Sequence, residues 1–130
     1  MHNKINHYQI QERTELFMNN IYNTANKLAK EIQESSEYKD YKKARETVLS
    51  NPDLKKKIED FEQIRYDVQV LSMEKGKEDP EKMQKLQEMY AILVENKDIK
   101  DYFDLEVKFN VMVADINKII AESMSDIFKH

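Results

Sequence analysis

The chain has 130 residues with one glycine, two prolines, no cysteine and a formal net charge of −4. So few turn residues cannot supply the breaks of a β-rich domain. The missing cysteine excludes disulfides, thiolate zinc sites, iron–sulfur clusters and cysteine nucleophiles. The first predicted helix runs from about Glu12 to Ser35. Its apolar stripe is Phe17, Ile21, Ala25, Leu28 and Ile32, at helical steps of three and four. Met18, Tyr22 and Ala29 widen that face. Residues 1–11 before it read as a flexible N-terminal segment. They are polar and make no signal peptide. Ser35-Ser36 then offers an N-cap and a break.

The second helix, about Glu37 to Leu49, presents Tyr38, Tyr41, Ala44 and Val48 to a core. Asn51-Pro52-Asp53 is the clearest punctuation. Asn51 caps the next helix, Pro52 fits a first turn that needs no amide donor, and Asp53 faces the positive end of the dipole. The third helix, about Pro52 to Glu74, carries Leu54, Ile58, Phe61, Ile64, Val68 and Leu71 on one face. Gly76 sits where a C-cap glycine belongs. Asp79-Pro80 repeats the cap-plus-proline start for a fourth helix, about Pro80 to Glu95, with Met83, Leu86, Met89, Tyr90 and Leu93 facing inward.

The last helix is expected from about Asp98 to Phe128. Phe103, Leu105, Val107, Phe109, Val111 and Val113 alternate as in a strand. A lone strand would leave its backbone groups unpaired, and no second candidate exists to pair with it. A helix apolar on most of its circumference, buried on more than one side, is the better reading. The fold class is therefore all-α: a single helical domain over 12–130, an elongated bundle of four to five helices. At 1.5 Å per residue the third and last helices would span about 33 Å and about 45 Å, longer than a small domain is wide. Surplus stripes remain off the main faces: Tyr66, Val70 and Met73 on the third helix, and Phe103, Val107 and Val111 on the last. These six are the candidate interface to a second copy of the chain, a dimer being the first expectation.

Catalytic chemistry finds little to use. Histidine occurs only at His2, His7 and His130, near the termini, so nucleophile–histidine arrangements have no folded histidine. Di-iron bundles need Glu-x-x-His pairs, calcium loops a glycine within an acidic ligand run, and phosphate loops several glycines. None is present. Pairs such as Glu59 with Glu62, or Asp101 with Asp104, arise by chance among 25 acids. No catalytic, metal or cofactor-binding residue is assigned, and no cofactor is expected. The interleaved 21 basic and 25 acidic residues argue against direct nucleic-acid binding and against a membrane-surface helix. No apolar run reaches the length of a membrane span.

Ala25-Asn26-Lys27-Leu28-Ala29-Lys30-Glu31-Ile32, then Ser35, Glu37-Tyr38, Tyr41 and Ala44, resembles the opening of the YlbF/YmcA/YheA family of small helical bacterial proteins. Asn51-Pro52-Asp53-Leu54, Ile58 and Phe61 resemble its next helix. Leu105-Glu106, Phe109 and Ile116-Asn117-Lys118-Ile119-Ile120 resemble its last, most closely in the YheA branch. The resemblance covers roughly residues 20–128. It implies an all-α fold, a cytoplasmic home, self-association and a non-enzymatic role akin to regulators of competence, sporulation and RNA processing. Family members with a cysteine-bearing C-terminal region are linked to Fe–S clusters, which this cysteine-free chain cannot hold. No functional residue carries over. The leading expectation is a homo-oligomeric interaction or adaptor protein with an unidentified protein partner. The alternative is a carboxylate- or metal-dependent enzyme on a helical bundle.

Overall fold

The computed structural model describes residues 7–76 and 79–128. These form α1 (His7–Glu34), α2 (Ser36–Leu49), α3 (Pro52–Lys75), α4 (Pro80–Leu93), α5 (Lys97–Glu122) and α6 (Ser125–Phe128). Of the described residues 91% are helical, and the alternating stretch from Phe103 to Val113 lies within α5. Helix α1 begins at His7, five residues before the expected start at Glu12. The first six residues of the expected flexible segment lie outside the described residues, as do the side chains of Phe17 and Met18.

Capping residues set most boundaries. The Ser35 hydroxyl accepts from the Tyr38 amide at 3.2 Å. Asn51 Oδ1 accepts from the Asp53 and Leu54 amides at 3.0 and 3.3 Å, ahead of Pro52 at the first turn. Asp79 Oδ1 accepts from the Glu81 and Lys82 amides at 3.0 and 3.4 Å, ahead of Pro80. Each side chain satisfies donors the helix leaves free. Gly76 closes α3 in the left-handed region at φ 61°, which only glycine adopts without strain.

Further boundaries differ from the sequence reading, among them α4, which ends at Leu93 and not at Glu95. Asn96, not a residue nearer Asp98, caps α5, its side chain accepting from the Ile99 amide at 3.2 Å. The last helix is also broken. At Ser123 the amide donates to the Ile119 and Ile120 carbonyls, and the hydroxyl donates to the Ile120 carbonyl at 2.6 Å. That tightens the final turn and ends α5 at Glu122, leaving α6 as a separate short turn.

Helix α2 lies antiparallel along α5. Tyr41 stacks on Tyr102 at 5.7 Å, while Tyr38, earlier in α2, meets Phe109, later in α5, at 6.0 Å. Helices α3 and α4 form a hairpin whose Phe61 and Tyr90 rings lie 6.2 Å apart. The core sits where the α2–α3 and α4–α5 corners meet. It comprises Val48, Leu54, Ile58, Phe61, Leu93, Ile99, Tyr102 and Phe103. Four of these flank the two short connections, so the tight turns and the hydrophobic centre are one feature.

Beyond this centre the helices run on with less cover. Residues 20–27 of α1 and 117–122 of α5 are all exposed. The chain exposes 11,012 Å² in all. A compact monomer of 15.6 kDa would expose about 7,200 Å².

Candidate interaction surfaces

One polar cluster joins three helices. Glu106 on α5 has a side chain only 16% exposed. Its Oε2 accepts from the Tyr41 hydroxyl of α2 at 3.1 Å, and its Oε1 from Arg65 Nη1 of α3 at 3.3 Å. The Arg65 guanidinium also stands 5.5 Å over the Phe61 ring. Burial, then the neighbouring Tyr102 and the Glu106 charge, hold the Tyr41 hydroxyl far above its ordinary pKa. Tyr102 is raised too, again chiefly by burial. Tyr41 therefore stays neutral and donates. Both carboxylate oxygens of Glu106 are occupied, so the cluster ties helices together and offers neither a free base nor a nucleophile.

The other ion-paired carboxylates face solvent, each within one turn of its partner. Glu59 pairs with Lys55 at 3.9 Å, Glu62 with Arg65 at 4.0 Å, and Asp104 with Lys100 at 3.0 Å. Helix spacing brings such partners together without any demand from chemistry. A shallow cleft of about 290 Å³ between α2 and α5 is lined by Asp40, Lys43, Thr47, Asp98, Asp101 and Leu105. Among the described residues no group of three or more histidine and acidic side chains is placed to hold a metal ion. His2 and His130 lie outside the described residues. None of the described helices is long and apolar enough to cross a membrane.

The six side chains expected at an interface divide. Tyr66, Met73, Val107 and Val111 are exposed, Met73 to 86%. Val70 is half-buried on α3. Phe103 is corrected: only 6% exposed, it belongs to the core. Its ring lies 5.3 Å from Phe61 and 5.6 Å from Tyr90. Phe103 shares a stripe with Val107 and Val111, but the α3–α4 hairpin crosses α5 at Phe103 and leaves the next two turns uncovered.

Further exposed apolar groups lie on the first and last helices. Ile21 and Tyr22 on α1, Ile119 and Ile120 on α5, and Ile127 and Phe128 on α6 all stand open. Their helical spacing marks them as an apolar face. Spacing alone does not say that the chain's own helices leave that face bare. Ile92, beside Met89 and Leu93 on α4, opens a smaller apolar groove against Lys57 and Asp60 of α3.

Comparison with known proteins agrees with the fold. Residues 21–125 match the family model described as control of competence regulator ComK, YlbF/YmcA. A UPF0342 protein of Clostridium novyi is 36% identical over 109 residues, covering 84% of this chain and 96% of its own length. One from Caldicellulosiruptor bescii is 33% identical over 107 residues, covering 82% and 90%. One from Desulfitobacterium hafniense is 32% identical over 107 residues, covering 82% and 86%.

Proposed function

The chain belongs to the YlbF/YmcA family, and from that premise we propose that it is a non-enzymatic, self-associating regulatory subunit of the bacterial cytoplasm. In this reading it acts by binding, in regulatory control of the kind its family's description names, with a protein partner still to be identified. The observation that carries the reading is the uncovered apolar surface. Tyr66 and Met73 on α3, and Val107 and Val111 on α5, stand exposed on helices whose other faces are already packed. Large apolar groups left exposed along helix faces are the raw material of protein contact surfaces. Their charged surroundings are mixed in sign, which favours a protein partner over a phosphate backbone.

The test is association state. Light scattering at micromolar concentration should give a mass at least twice 15.6 kDa. A double substitution, Val107→Glu with Val111→Glu, should shift the mass toward the monomer while circular dichroism keeps its helical signal. A monomeric mass for the unaltered chain would remove self-association. A thermal shift with divalent metal, abolished by Asp98→Asn and Asp101→Asn, would instead favour the carboxylate-enzyme alternative.

A further inference from the structure

Tyr66, Val70 and Met73 form a patch of their own. Helix α3 turns about 100° per residue, so the three fall within an arc of about 60° and span about 10 Å. Tyr66 is 62% exposed and Met73 86%, with Val70 half-buried between them. The opposite side of α3 is already used. There Phe61 meets Tyr90 of α4, and Ile64, Val68 and Leu71, in register with Phe61, are half-buried. The patch belongs to neither of the two exposed arms, which are the α1 stretch and the α5–α6 end. Charge around it is one-sided. From Glu59 through Glu74 five residues are acidic and only Arg65 is basic. Arg65 is turned toward α5, its Nη1 donating to Glu106 at 3.3 Å. Its Nη2 lies 4.0 Å from Glu62, so that carboxylate is partly balanced. Asp67 and Glu74 are not: among the described residues neither is in an ion pair. Both follow Val70 around the helix, on one flank of the patch.

We infer that this face binds a basic amphipathic helix of a different protein. The partner's apolar stripe seats on Tyr66, Val70 and Met73, and lysines or arginines on its flank meet Asp67 and Glu74. The spacing of the patch selects a helix, since the anchors of an amphipathic helix repeat over the same two turns. Among the described residues there is no strand, hence no sheet edge for an extended segment to join. Tyr66 supplies a large, stiff contact and Met73 an adaptable one. The charge selects the partner. An acidic rim repels phosphate backbones and anionic lipid surfaces. A second copy related by a two-fold axis would set this face against its own image, acid against acid. The inference rests on the binding role proposed above, names the partner's chemistry, and does not depend on self-association.

The probe is a synthetic peptide of about 20 residues, long enough to hold a helix, with leucines at alternating steps of three and four and lysines on both flanks. A second peptide has glutamate in place of each lysine. Binding to the full chain is read by fluorescence anisotropy. The basic peptide is expected to bind and the acidic one not to. Asp67→Lys with Glu74→Lys should weaken the basic peptide about tenfold or more. Asp40→Lys with Asp101→Lys, an equal change of net charge in the α2–α5 cleft, should weaken it far less. Tyr66→Ala with Met73→Ala should also weaken it about tenfold, with the circular dichroism unchanged. Equal losses from the two charge-reversed pairs would mean attraction by net charge alone and overturn the inference. Equal binding of the two peptides, or no binding of the basic one, overturns it as well. If Asp67→Lys with Glu74→Lys lowers the light-scattering mass of the chain, the face belongs to a second copy, and the inference falls while self-association stands. A monomeric unaltered chain that still binds the basic peptide at this face removes self-association and supports the inference.

Discussion

The corner core and the arms use the same residue types to opposite ends. At the corners, Val48, Ile58 and Ile99 are almost wholly enclosed. On the arms, Ile21, Ile119 and Ile127 have the same aliphatic character and the same helical spacing but stand in water. The difference lies in topology. Two short connections fold four helix ends onto one centre, while residues 20–27 of α1 and 117–122 of α5 stay exposed. Apolar periodicity therefore identifies a face that needs covering, and the connections determine whether the chain covers it itself.

The largest effect should come from the centre. Ile58→Ala removes a core side chain that is only 1% exposed and should cost about 2–5 kcal/mol in urea unfolding. Ile119→Ala should change the unfolding of dilute monomer little, and instead reduce the concentration dependence of Tm. Equal losses at the two sites under dilute conditions would erase the contrast between core and arm.

A middle effect is expected at the α2–α3 corner. Asn51→Ala leaves the Asp53 and Leu54 amides without their acceptor and should cost about 1 kcal/mol by the same measurement. Asn51→Asp keeps an acceptor and should restore most of that loss. If both variants matched the unaltered chain, Pro52 alone would be setting the corner.

The smallest effect concerns pH. Folding raises the Tyr41 pKa, so the folded state favours the neutral phenol. The corresponding stability is fully present below the ordinary tyrosine value near 10 and declines as pH rises beyond it. Tyr41→Phe should cost about 1 kcal/mol at neutral pH, for the lost hydrogen bond, and should flatten the alkaline decline. An unaltered decline in Tyr41→Phe would assign it to other groups.

Much of the fold was legible because local rules and tertiary packing agree here. Leu54, Ile58 and Phe61 follow helical spacing and do form the core. Asn51, Gly76 and Asp79 perform the capping that their residue types favour. Asn96 was missed because it falls between two apolar patterns, neither of which reaches it. Phe103 was placed with Val107 and Val111 because a stripe does not record where a crossing helix stops. The Arg65–Glu106 pair was not legible at all: its partners are 41 residues apart, and each reads alone as one more surface charge among many.

That pair has a consequence for how the helices find their alignment. Aromatic and aliphatic side chains tolerate sliding, since one apolar neighbour serves nearly as well as the next. A slip of α5 by one turn would carry Glu106 about 5.4 Å along its axis, out of reach of both Tyr41 and Arg65. The carboxylate would then be enclosed without partners, a penalty no shifted apolar contact offsets. One acidic side chain thus makes misaligned pairings of the same helices unfavourable, and it does so from a position that a hydrophobic residue could fill without any such discrimination.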